Sequence, residues 1–190
     1  MQRCRIMRFG ETEDGLIYLV MPYLRGELLS DREGKVGQMM PDEGMVYLIQ
    51  CCAGLHYAHQ QNIIHRDLKP ENVFLAEVDG AERPKVLDFG IAKLLDPERF
   101  PMTVEATATG LRPMTLRYAS PEQVRGGAIT TASDVYSLGV LLYELLTGLD
   151  PYDLDTDRSD EIARAICECE PTKPSTAVRR RTPADGRTLR

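Results

Sequence analysis

Nowhere in these 190 residues do glycines fall in a G-x-G-x-x-G spacing, so no loop is built to lay backbone amides over a phosphate chain. The first lysine is Lys35, and before the apolar run 16–21 only Arg3, Arg5 and Arg8 are basic. Arginine's planar fork does not reproduce the reach of a lysine gripping phosphate as a point charge. The cysteines, Cys4, Cys51, Cys52, Cys167 and Cys169, are odd in number and include no C-x-x-C pair. That argues against a disulfide framework and fits reduced thiols in a cytoplasmic protein. No apolar run is long enough to span a bilayer. Residues 1–10 carry three arginines and no apolar stretch of the signal-peptide kind. A net charge of −6 disfavours nucleic acid or an anionic membrane as partner. With 43% hydrophobic residues, the chain can bury one sizeable core.

Against these absences stand two tracts. His65-Arg66-Asp67-Leu68-Lys69-Pro70-Glu71-Asn72 is followed by Asp88-Phe89-Gly90. A lone His-Arg-Asp or Asp-Phe-Gly would read as ordinary loop acids. The ordered pair, with Lys69 and Asn72 in place, resembles the catalytic and metal-binding loops of eukaryotic-type protein kinases. The segment Thr115-Leu116-Arg117-Tyr118-Ala119-Ser120-Pro121-Glu122 is similar to the family's T-x-x-Y-x-A-P-E, with Ser120 for the usual Ala. Residues 131–148 resemble the central buried helix of the large lobe, and 17–24 the last small-lobe strand and hinge. Residues 117–123 and 131–139 together resemble the bacterial serine/threonine kinases. The similarity runs to about residue 178.

The resemblance implies a division of labour. Phosphoryl transfer asks a protein for positioning and charge neutralisation more than for covalent chemistry. Asp67 would accept or orient the proton of the acceptor hydroxyl. Lys69 would offset charge on the transferring phosphoryl group, and a lysine there goes with Ser/Thr acceptors. Asn72 and Asp88 would hold Mg²⁺ through oxygen, with Gly90 permitting the backbone turn. Met21 would be the gatekeeper, Tyr23 and Leu24 would offer backbone groups to an adenine edge, and Phe74 and Lys69 would complete the ATP-binding set. Thr115 would bond Asp67 and Lys69 and shape the acceptor site. Arg66 goes with control by phosphorylation in the segment 91–119, where Thr103, Thr107 and Thr109 are candidates; each also reads as a solvated loop threonine. Asp134 would anchor the catalytic-loop backbone. The implied cofactors are ATP and Mg²⁺, and the implied partners are protein substrates with Ser/Thr acceptors.

Periodicity supplies the frame. Residues 16–21 and 84–87 read as strands. Over 41–60 the apolar residues Met45, Leu48, Ile49, Cys52 and Leu55 recur at helical spacing, with Asp42 at the positive end. Cys52, His56 and His59 could share a face of that helix as zinc ligands, although the family places a similar Tyr-Ala-His before its catalytic loop, as Tyr57-Ala58-His59 does. Thr131 with Asp134 matches a capping box, Gly148 closes that helix and Pro151 prevents its continuation. Residues 159–168 read as one more amphipathic helix.

The departures from the family lie at both ends. The strand with V-A-I-K and its Glu-bearing helix are missing, and no D-P-x-x-R follows to supply Glu122 with an arginine. The reading is therefore an α+β, protein-kinase-like fold: 1–24 a small-lobe remnant and hinge, 25–170 the helical large lobe, 171–190 a polar tail without order. Two functions follow: a serine/threonine kinase domain truncated at both ends, or a pseudokinase or regulatory binding module that transfers nothing.

Overall fold

The computed structural model describes residues 7–36, 39–89, 113–152, 154 and 156–181. It opens with an antiparallel ribbon, β1 (Arg8–Glu11) on β2 (Ile17–Val20). A short extended stretch, 21–25, leads to β3 (Gly26–Leu28), which pairs with β4 (Val73–Val78), itself paired with β5 (Ala81–Val86). Gly26 sits at φ 138°, and a Cβ there would lie 1.9 Å from the Leu75 carbonyl oxygen. Only glycine lets β3 come this close to β4. The sequence had suggested a strand starting at Pro84. The strand instead begins at Ala81, because Asp79 (φ 54°) and Gly80 (φ 74°) turn the chain into a hairpin. Pro84 is tolerated because β5 is an edge strand.

Among the described residues the helices are α1 (Leu29–Val36), α2 (Pro41–Gln60), α3 (Pro113–Leu116), α4 (Pro121–Val124), α5 (Thr131–Thr147), α6 (Ser159–Glu168) and α7 (Pro174–Arg181). Pro41 opens α2 at a position where its missing N–H costs nothing, and Asp42 and Glu43 complement the dipole. The helix packs on α5 and β5. It buries Gly44, Tyr47, Leu48, Cys51, Leu55 and Ala58. The apolar stripe expected from spacing is thus split: Leu48 and Leu55 face in, while Met45, Ile49 and Cys52 are exposed. The helix carries apolar residues all round, so period alone could not choose the buried side.

Two clusters hold the body together. Leu29, Leu48, Leu55, Leu68, Leu75, Leu141 and Leu145 form the larger, between α2, α5 and the sheet; Leu116, Ile162 and Ile166 centre the smaller, where α3 and α4 meet α6. Each fully buried Leu or Ile contributes about 1.5–3 kcal/mol. The cap of α5 differs from expectation by one residue. Thr130 is the N-cap, and its partner in the capping box is Ser133, not Asp134. Asp134 is used elsewhere, as shown below. Gly148, at φ 66°, closes α5 in the left-handed cap expected of it.

The polar tail expected to lack order carries α7. Pro174 begins it, Ala177 is buried against the body where α7 meets α5, and the Thr172 amide donates to the Pro151 carbonyl at 2.8 Å. A buried small apolar residue, Ala177, and a favourable first-turn proline, Pro174, mark this short helix in a stretch whose composition otherwise reads as a tail. Arg32, on α1, bonds Glu27 on β3 (2.5 Å), Glu43 on α2 (3.2 Å) and Glu82 on β5; Glu82 also accepts from the Tyr47 hydroxyl at 2.6 Å.

Candidate active site

The loop between α2 and β4 is held from three sides. Asp134, 1% exposed on α5, accepts from the His65 amide (2.8 Å) and His59 Nε2 (2.7 Å) through one carboxylate oxygen, and from the Arg66 amide (2.9 Å) through the other. The expected anchoring by Asp134 is what the geometry contains. It also ends the zinc reading: His59 turns to Asp134, His56 bonds Gln60, and no metal-holding cluster of His, Cys, Asp or Glu occurs among the described residues.

His65 is wholly buried. Its Nε2 donates to the Leu87 carbonyl (2.7 Å), and its Nδ1 therefore serves as acceptor for the Asp67 amide (3.3 Å). Burial, the largest influence, pushes its pKa down and favours this neutral tautomer. The ring meets Phe89 edge-on, with centroids 4.9 Å apart. The Leu87 amide donates to the Asn72 carbonyl at 2.8 Å. These bonds fix where β5 delivers Asp88, an exposed carboxylate on left-handed backbone (φ 53°). Arg66 is left-handed too (φ 70°). Such backbone costs a non-glycine residue about 1–3 kcal/mol and persists only where surroundings over-determine it.

Asp67, Lys69, Asn72 and Thr115 come together. Lys69 Nζ lies 3.4 Å from Asp67 Oδ2 and donates to Thr115 Oγ1 at 3.0 Å. Asn72, nearly buried on a single 3₁₀ turn (Pro70–Asn72), donates its amide to the Asp67 carbonyl (2.6 Å) and to Asp67 Oδ2 (3.1 Å). With both N–H bonds committed to Asp67, the Asn72 side-chain oxygen remains as an acceptor. The Asn72 amide oxygen and the Asp88 carboxylate are oxygen donors of the kind Mg²⁺ takes, one or two protein ligands completed by phosphates.

The residues expected around adenine are less concentrated. Met21 and Tyr23 are exposed in the stretch between β2 and β3, and Leu24 is half-buried. Phe74 is half-buried on β4, beside Gly26 where that stretch ends. Thr103, Thr107 and Thr109, like Gly90, lie outside the described residues. Among the described residues no arginine pairs with Glu122, and Ser133 Oγ donates to it at 2.5 Å. Partial burial pushes this carboxyl up, but the Ser133 hydroxyl and further hydrogen bonds more than offset that and hold it below the usual range.

Sequence reasoning gave no role to Arg117 or Gln123. Arg117 bonds Asp150 (2.9 Å) and the Thr156 carbonyl (2.7 Å), tying the Thr115 segment to the turn after α5. Gln123 donates to the Arg66 carbonyl at 2.7 Å. Neither could be found by composition or period, because each acts through tertiary contacts.

Beside this site Glu33, Glu71 and Glu144 repel one another, and Tyr118 donates its hydroxyl to Glu144. Burial first, then the neighbouring Glu144 and Glu71, pushes the Glu33 carboxyl from 4.5 up to about 7. A carboxyl raised above its unfolded value contributes stability at acid pH and loses it as pH rises through its folded value. Glu33→Gln should therefore stabilise the chain by about 1 kcal/mol near pH 8, allowing for solvent screening at this half-buried position, and by almost nothing near pH 5. Thermal melts of both proteins at the two pH values check this; equal gains at both would remove the titration as cause.

The model of the protein kinase domain matches residues 4–185. Curated relatives agree. The chain is 39% identical over 167 residues to serine/threonine-protein kinase PknB of Mycobacterium tuberculosis, covering 87% of this chain and 25% of that protein. It is 42% identical over 149 residues to serine/threonine-protein kinase pkn2 of Myxococcus xanthus, covering 78% of this chain and 17% of that protein. The chain spans a quarter or less of the length of these relatives.

Proposed function

We propose that this chain, which belongs to the protein kinase domain family, transfers the γ-phosphoryl group of ATP to serine and threonine hydroxyls of protein acceptors. One observation carries the reading: a carboxylate, an ammonium, an amide and a hydroxyl, from Asp67, Lys69, Asn72 and Thr115, meet within hydrogen-bond or ion-pair distance at the end of a rigid loop. Asp67 receives and orients the acceptor hydroxyl proton. Lys69, between Asp67 and Thr115, places positive charge where the transferred group's charge develops. Thr115 holds Lys69 and bounds the acceptor position. Asn72 and Asp88 would hold Mg²⁺, which supplies neutralising charge to the phosphates of bound ATP. Met21, Tyr23, Leu24 and Phe74 would line the adenine side. Arg66 would pair with a phosphate carried by Thr103, Thr107 or Thr109.

We place the protein in the cytoplasm: Cys51, Cys52, Cys167 and Cys169 are free thiols, and no described helix is long and apolar enough to cross a membrane. The second reading, a binding module without transfer, draws on Lys35. This first lysine of the sequence pairs with Glu27 on β3 and is not offered to a phosphate.

The deciding experiment incubates the chain with γ-labelled ATP, Mg²⁺ and a generic protein acceptor, followed by phosphoamino-acid analysis. Label on phosphoserine and phosphothreonine, abolished by chelator, is expected. Label on phosphotyrosine would overturn the serine/threonine acceptor class, and no label would overturn the proposal and leave the binding module.

A further inference from the structure

Arg66 adopts left-handed backbone immediately before Asp67. Its amide is held by Asp134 Oδ1 at 2.9 Å. Its carbonyl accepts from Gln123 Nε2 at 2.7 Å. That carbonyl and the Asp67 amide belong to one rigid peptide plane, and the Asp67 amide donates to His65 Nδ1 at 3.3 Å. The plane that aims Asp67 is thus gripped at one edge by His65 and at the other by Gln123.

Gln123 is itself fixed. It is 8% exposed on α4, and its Oε1 accepts from the Ser120 amide at 2.9 Å. Flipping the side-chain amide would set donor against donor at Ser120 and acceptor against acceptor at Arg66. The orientation is therefore unique, and the Nε2–H can only point at the loop. Gln123 also belongs to the stretch that presents Thr115 to Lys69.

We infer that Gln123 is a positioning residue for phosphoryl transfer: it sets the Arg66–Asp67 peptide plane, and so makes the aim of Asp67 depend on the seating of the Thr115–Gln123 stretch. This rests on the kinase reading above. Gln123 touches no reacting atom; it acts through the plane.

Three variants test it. Gln123→Met keeps the volume and loses the donor; kcat should fall about tenfold, with KM for ATP and acceptor little changed, since one buried hydrogen bond is lost. Gln123→Glu should show the same loss near pH 8, where an ionised carboxylate opposes the Arg66 carbonyl, and recover toward wild type near pH 6, where a protonated carboxyl can donate in place of the amide. Ser120→Ala removes the hydroxyl cap of α4 but not the bond to Arg66, and should leave kcat unchanged. A ratio of Gln123→Glu to wild-type kcat that is flat across this range, or a Ser120→Ala loss equal to that of Gln123→Met, would overturn the inference.

Amide hydrogen exchange decides the matter independently of turnover. Faster exchange at Arg66 and Asp67 in Gln123→Met, with slow exchange kept in Ser120→Ala, supports it; unchanged exchange in both refutes it. A wild-type chain that transfers no phosphate would sink the kinase reading, while the exchange result would still report on the plane.

Discussion

Asp67→Asn leaves the chain folded and lowers phosphoryl transfer by about 10²–10⁴-fold, the range of a lost general base. The change is nearly isosteric. The remaining amide oxygen can still accept from Asn72, whose bond to the Asp67 backbone carbonyl at 2.6 Å is untouched. What disappears is the negative charge 3.4 Å from Lys69 and the basic oxygen facing the acceptor. Because the Asp67 side chain is 30% exposed, its charge adds little stability. The melting temperature should therefore hardly move while kcat collapses. Steady-state kinetics and a thermal melt on the same preparation check the pair. Undiminished transfer in the variant would remove Asp67 from the chemistry.

Asp134→Ala should do the reverse damage, costing about 3–5 kcal/mol of stability, as when one partner of a buried charged network is removed. Two backbone amides and His59 Nε2 lose their acceptor at a site 1% exposed to solvent. Each orphaned donor carries its full desolvation cost. The loop loses the bonds that hold Arg66 in left-handed backbone, so Asp67 would also lose its aim. Chemical denaturation with circular dichroism reads the loss. A shift of only a few tenths of a kcal/mol would show that water replaces the carboxylate at little cost, and that the loop is held by other contacts.

The catalytic loop was legible in the sequence because its chemistry is contiguous. Asp67, Lys69 and Asn72 lie within six residues, and a short loop has few ways to present them together. Helices α2 and α6 were legible because apolar residues recur along them at helical spacing. Other features depend on partners that spacing does not reveal. Asp134 looked like half of a capping box, but two amides from the catalytic loop claim its carboxylate, and Ser133 caps the helix in its place. The outward side of α2 looked like core because Met45 and Ile49 are apolar. The hairpin turn at Asp79-Gly80 was a local signal that the stronger reading of Pro84 as a strand start obscured. Helix α7 turns on one buried alanine, a signal too small to stand out in a basic, proline-rich stretch.

The Arg32 junction carries a consequence of another kind. One guanidinium joins β3, α2 and β5, and Glu43 and Glu82 remain over a third exposed. Its hold is set by the surrounding electrolyte as much as by the fold: at molar salt the Debye length shrinks to about 3 Å and such pairs weaken, whereas the buried bonds of Asp134 are shielded from those ions. Ionic strength is then a dial on the seam that joins β3, α2 and β5, and one that leaves Asp67 where it is.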